Sequence, residues 1–405
     1  MAILAVIVFT AAASYAQTTS PASADTSKSH YTLMPVPKGD TAKAPGGFSL
    51  QTIHMTPIYA APTEDNAAVD SVQQFKGARN IPDSSHYSGE KHLRNIRQLT
   101  FDGENTNARF SPDGESIVFQ ARGSKPGKCD QIFMMTLDGK RIRRISQGYG
   151  ATAAPCFFPS GNKILYASTH AQFLGKCPPQ PDSAKGYVWP LFSAYDLYIA
   201  DTNGIPISRL TTNDFYDADP AMSLKSERIV FTSTRGGDVD LWSETLDGSD
   251  IRQLTHENGY DGNATLSPDG SKIALCASRP TGDALAQYRS MLQQGLFSPD
   301  HLEIYVMNAD GSDQTQVTHL GGMNLSPCWT PDGNHLIFSS NHLDPNGRNF
   351  DLFTIDKNGS HLERITYGGG YNGFPAFSSD GKHLIFSSAR NASLGTNIFI
   401  ADWAK

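Results

Sequence analysis

Ser267-Pro268-Asp269-Gly270, followed at once by Lys272-Ile273-Ala274-Leu275, is a tight turn leading into an apolar strand. The same unit recurs at Ser111-Pro112-Asp113-Gly114, Pro159-Ser160-Gly161, Thr330-Pro331-Asp332-Gly333 and Ser378-Ser379-Asp380-Gly381, with a degenerate copy at Ser223-Leu224-Lys225-Ser226. Apolar runs such as Ile117-Val118-Phe119 and Leu384-Ile385-Phe386 follow the turns. A second run comes next, as at Leu241-Trp242 or Leu352-Phe353, and ends in a hairpin turn such as Asp247-Gly248. A polar strand then follows, as in Arg252-Gln253-Leu254-Thr255. Counting the strand ahead of each turn, the unit is four antiparallel strands, repeated at intervals of about 44–65 residues. Six such units predict an all-β fold, a six-bladed β-propeller.

The sixth unit stops at Trp403 without an outer strand, while Arg97-Gln98-Leu99-Thr100 stands alone before the first. The N-terminal strand is therefore expected to complete the last blade. A ring closed in this way leaves only short sheet edges.

The Ser-Pro-Asp-Gly turn, the run Ile304-Tyr305-Val306-Met307-Asn308-Ala309-Asp310-Gly311 and the Arg-Gln-Leu-Thr strand resemble the WD40-like repeats of TolB-type periplasmic propellers. The resemblance covers Arg97 to Trp403 and implies an exported repeat protein.

The remaining sequence agrees with that setting. Ala2 to Ala13 is apolar but too short to span a bilayer, and Ser14-Tyr15-Ala16 offers small residues for cleavage. Residues 1–16 read as a signal peptide, which leaves no membrane-spanning segment in the mature chain. Residues 17–46, rich in Ser, Thr, Ala and Pro, read as a flexible linker. Residues 47–92 form an extension without a clear assignment, and residues 93–405 form the propeller. A monomer in the periplasm or outside the cell is expected. The net charge of −7 argues against a nucleic-acid partner.

The Pro-Asp-Gly turns all lie at one end of the propeller. The long insertions, His170 to Tyr195, Arg279 to His301 and Asn341 to Phe350, lie at the other. Long loops on a rigid scaffold are where binding usually resides. The loop-rich face is therefore expected to bind a protein, peptide or glycan. Within the second insertion, Leu285, Tyr288, Met291 and Leu292 share a helical face before Gly295, as a lid or as a cap on the blade.

Two rings of residues are candidate sites. The first strands begin with Asn105, Thr152, Asp217, Asp261, Asn324 and Asn372, all polar. Two residues on stand Asp219 and Asn263, with Asn107, Ala154, Ser326 and Phe374 in the other blades. Such a ring could be an oxygen-rich channel mouth suited to calcium or a hydroxyl-rich ligand, or a set of turn-stabilising side chains. The second strands end in Arg122, His170, Arg235, Arg279, His342 and Arg390. These form either a cationic collar for an acidic partner or structural pairs with the acids that precede the third strands, Asp196, Asp240, Glu303 and Asp351.

Cys129 and Cys177 fall in neighbouring loops of one face and are a disulfide candidate. Cys156, Cys276 and Cys328 read as small core residues. No nucleophile elbow, metalloprotease helix, phosphate loop or dinucleotide fingerprint is present. The chain therefore reads as a binding module without catalysis. A metal-assisted polysaccharide lyase or hydrolase at the channel mouth is the alternative, with His170 and His342 as its candidate ligands.

Overall fold

The computed structural model describes residues 78–404, apart from 81–86, 124–128, 182–186, 224, 226, 227, 369 and 391–394. The signal-peptide and linker assignments, and most of residues 47–92, lie outside the described residues. Six antiparallel sheets repeat along the chain. Blade one comprises Glu104–Phe110, Ser116–Arg122, Gln131–Thr136 and Ile142–Arg144. Blades two to five repeat this order from Thr152, Asp217, Asp261 and Asn324. Blade six contains Asn372–Phe377, His383–Ser388 and Asn397–Trp403. Its outer strand is Leu93–Gln98, antiparallel to Asn397–Trp403 with Leu93 opposite Trp403. Arg79–Asn80 adds a short fifth strand outside it. The closing strand thus starts earlier than Arg97, because Leu93 and Ile96 supply its buried face.

The repeated residues have repeated duties. In four of the turns the serine or threonine bonds the aspartate two residues later, as from Ser111 Oγ to Asp113 at 2.5 Å and from Ser267 Oγ to Asp269 at 2.6 Å. The threonine that ends each Arg-Gln-Leu-Thr strand is buried and works twice. Thr255 accepts from the Leu241 amide and donates to the Asp240 carboxylate. Thr211, Thr318 and Thr366 repeat this with Asp196, Glu303 and Asp351. In blade six the hydroxyl is that of Thr100, which donates to Asn397 and accepts from the Ile398 amide. The N-terminal segment therefore reproduces the inner bonding of an ordinary blade.

Every first strand carries a bulge at one place. Residues 107–108, 154–155, 219–220, 263–264, 326–327 and 374–375 each set two residues against one on the second strand. The first residue of each pair has positive φ: Asn107, Ala154, Asp219, Asn263, Ser326 and Phe374 lie at 49–54°. The second is proline in four blades, where the bulge removes the need for a ladder N–H.

Between blades, the faces pack through buried Ile, Leu and Phe such as Ile117, Phe231 and Phe386. The insertions of blades two and four meet over blade three. Trp189–Pro190 pairs with Leu296–Phe297, and the helix Gly282–Gln293 lies beside that small sheet. Tyr288 is the helix's buried residue, and its hydroxyl donates to Asp238 of blade three. Among the described residues, no helix is long and apolar enough to cross a membrane.

Candidate functional site

The ring that begins the first strands is not an open mouth. Asn105, Asp217, Asp261 and Asn324 have no exposed surface, and Thr152 and Asn372 have 1% each. Asn105 donates to the Asp102 carbonyl, Thr152 to that of Asp130, Asn324 to that of Leu302 and Asn372 to that of Phe350. Asp217 and Asp261 receive Arg235 and Arg279 at 2.9 and 2.7 Å. These side chains tie the start of each innermost strand to its surroundings.

The second ring is also held within the blades. Arg235 and Arg279 pair with the first-strand aspartates, not with the acids ahead of the third strands. They also cover Phe231, Trp242 and Tyr305. His170 and His342 accept or donate at Ser168 and Ser340, and pack on Tyr198 and Phe353 with ring centroids 4.2 and 4.5 Å apart. Burial pushes His170 down to about 4. Arg390 faces a carboxylate that no pattern in the blade predicts. Glu90, from the extension before the closing strand, grips it at 3.1 and 3.2 Å. Arg122 is exposed, and its charge favours the ionised form of nearby Asp130 against the effect of burial. Asp196 and Asp351 take Arg209 and Arg364 of the fourth strands instead.

The loop-rich end carries an apolar cluster. Tyr216, Tyr260, Met323 and Tyr371 precede four of the first strands and gather with Trp189, Phe297 and Phe350 in one apolar cluster. The rings of Tyr260 and Tyr371 fold back over Gly262 and Gly373, where any β-carbon would strike their hydroxyls. Tyr187, from the insertion of blade two, reaches Arg348 of blade five, whose guanidinium lies 5.1 Å from the ring centre. The added chain therefore packs over part of the face on which the sequence placed a ligand.

The opposite end is open. A channel cavity of about 280 Å³ reaches the Pro-Asp-Gly turns. Asn107, Ala154, Asp219 and Asn263 line its inner part, and Pro112, Ser223, Pro268, Pro331 and Ser379 its rim. Between them lie Arg109, Cys156 and Cys328, with Phe110, Phe157, Met222, Trp329 and Phe377. Asp219 stands near Tyr195, Tyr216 and Tyr260, and burial pushes its carboxyl up to about 6. Burial likewise lowers Arg109 below the usual arginine range and lifts Cys156 to about 12.

Asp219 and Asn263, with Asn107 and Ala154 of the same ring, are thus the named candidates that face a cavity. Arg109 was missed, and Cys156 and Cys328 pack against the core as read but also face the channel. A strand alternating strictly inward and outward gives the wrong phase once a bulge intervenes. Pro155, Pro220, Pro327 and Pro375, each at the middle of an innermost strand, were the available signal for that bulge.

Cys129 and Cys177 are disulfide-bonded, joining the loop of blade one to the insertion of blade two. Among the described residues, no three His, Cys, Asp or Glu side chains gather as a metal site.

A family model described as the TolB beta propeller domain matches residues 289–404. A protein TolB homolog of Chlorobium luteolum is 27% identical over 183 residues, covering 38% of this chain and 42% of that protein. The chain thus spans less than half the length of that curated relative. Among solved structures, a putative TolB from Agrobacterium tumefaciens superposes with a TM-score of 0.52 at 16% identity, over 81% of this chain and 98% of that one. An oligogalacturonate lyase in complex with manganese reaches 0.50 at 13% identity, over 82% and 98%. At these identities the structural likenesses show the propeller fold alone.

Proposed function

We propose that this TolB-like propeller is an exported, non-catalytic binding protein that admits part of a protein, peptide or glycan ligand into its central channel through the Pro-Asp-Gly end. One observation carries the reading: a cavity walled by the first strands reaches the Pro-Asp-Gly turns, while Tyr216, Tyr260, Met323 and Tyr371 pack into an apolar cluster at the loop-rich end. A cavity of about 280 Å³ is just below the roughly 300–1,000 Å³ of small-ligand clefts, so it suits a few side chains or one or two sugars. The apolar wall with a few polar groups has the make-up of a binding pocket. Exported location follows from the reading of residues 1–16 and from the likeness to TolB proteins. Calcium at the first-strand ring finds little support, since Asp217 and Asp261 already pair with arginines and the amide and hydroxyl side chains donate to backbone carbonyls.

The test compares two obstructions. Thr265→Trp places a bulky ring in the channel, and Tyr187→Ala with Leu174→Ser alters the exposed insertion face. Purified wild type and both variants are screened on a peptide library and a glycan array. Loss of binding in Thr265→Trp alone supports the channel. Loss in the insertion variant alone would move the site to the opposite face.

A further inference from the structure

We propose that Arg109 is the anchor for a carboxylate, so that the segment entering the channel is an acidic peptide. The inference rests on the channel reading above. Seven other blade arginines meet a carboxylate: Arg209, Arg228, Arg235, Arg252, Arg279, Arg364 and Arg390 lie 2.5–3.1 Å from Asp196, Asp250, Asp217, Asp250, Asp261, Asp351 and Glu90, whereas Arg144 donates to the Ser146 carbonyl and lies outside the channel lining. Arg109 lies in that lining and meets no carboxylate. Its Nη1 donates to the Ala108 carbonyl at 3.0 Å, and no carboxylate reaches it among the described residues. Arg109 is half-buried in the wall of an open cavity, so its guanidinium, with no counter-charge in reach, is accessible to an anionic group that enters.

The surroundings leave room for that partner. At the equivalent wall position the other blades carry Cys156, Ala221, Thr265, Cys328 and Ala376, all small and neutral. The planar fork of arginine matches a carboxylate with two parallel hydrogen bonds. Asp219 lines the same channel, yet its ionisation answers to burial and not to Arg109. One cation inside a wall of Phe110, Phe157, Met222 and Trp329 fits a single carboxylate with apolar neighbours. A polyuronate would bring a negative charge on every sugar to that one cation and would face Asp219 as well. Peptide chemistry is therefore favoured over acidic glycan.

The probes are three fluorescent hexapeptide pools with Asp/Glu, Asn/Gln or Lys/Arg fixed at one position, and trigalacturonate as the glycan. Wild type should hold the acidic pool at least tenfold more tightly than its amide counterpart. Arg109→Gln should erase that preference, Arg109→Glu should shift it to the basic pool, and Thr265→Trp should abolish binding of all pools. Arg109→Gln should also melt at or above the wild-type temperature, since it removes a charge that no carboxylate pairs. A structural Arg109 would give the reverse. Equal binding of acidic and amide pools, blocked by Thr265→Trp, would overturn the Arg109 assignment and leave the channel reading standing. Pool binding untouched by Thr265→Trp, or no binding of any probe, would overturn both. Trigalacturonate bound in preference to every pool would overturn the peptide commitment.

Discussion

Removing the carboxylate of Glu90 should destabilise the whole ring, although the residue lies before the first strand of the propeller. Glu90 and Arg390 side chains are 2% and 1% exposed and joined by two contacts. Arg390 also lies over Tyr87, Phe386 and Phe399. Removing one partner of such a buried pair typically costs about 3–5 kcal/mol. The next residue supplies the control. Lys91 pairs with Glu363 at 2.6 Å, but its side chain is 70% exposed, and an exposed pair contributes about 0–1 kcal/mol. Glu90→Gln should therefore lower the unfolding free energy by several kcal/mol, and Lys91→Gln should not. Urea unfolding read by tryptophan fluorescence suits the assay, because Trp403 of the closing blade stacks on His92 at 5.1 Å. The double change Glu90→Leu with Arg390→Met should recover much of the loss, as apolar replacement of both partners often does. Equal stabilities of Glu90→Gln and Lys91→Gln would refute the claim that this pair fastens the closing strand.

Two further outcomes follow from buried acids. Asp217→Ala and Asp261→Ala should each destabilise by about 3–5 kcal/mol, by exposing the lack of a partner for Arg235 or Arg279, while peptide binding in the channel of the folded fraction is retained; calorimetry beside a binding isotherm checks both. Glu244 is 1% exposed, and burial moves its carboxyl from 4.5 to about 7. A raised carboxyl contributes stability below its unfolded value and loses it as pH rises through the folded one. Glu244→Gln should thus gain about 3 kcal/mol on wild type at pH 8 and little at pH 4, at 1.36 kcal/mol per pH unit, in unfolding measured across that range.

The blades were legible because one local message is written six times. Ser267 and Asp269 close a turn by direct hydrogen bonds, so a short-range motif carries the strand order with it. Closure was legible for the same reason, since Thr100 belongs to a motif whose other copies end blades. The site was harder to read. Insertion length shows where chain was added, not whether space remains, and here Trp189, Phe297 and Tyr288 use that chain to build a small core. The partner of Arg390 lies 300 residues away in sequence, so no spacing could announce it. The wall position of Arg109 depends on a backbone bulge, which composition does not encode.

Those bulges have a consequence for how such a propeller can diversify. At 107, 154, 219, 263, 326 and 374 the backbone takes the same left-handed turn whether the residue is Asn, Ala, Asp, Ser or Phe. Ala154 and Phe374 hold it with no side-chain reason to favour it, a conformation that costs roughly 1–2 kcal/mol for such residues. The surrounding ladder, not the residue, imposes the shape. Each blade therefore offers one interchangeable socket whose occupant can be exchanged without redrawing the strand that holds it. Four of these sockets, at 107, 154, 219 and 263, face the channel and form an alphabet in which its lining can be rewritten letter by letter while the architecture stays constant.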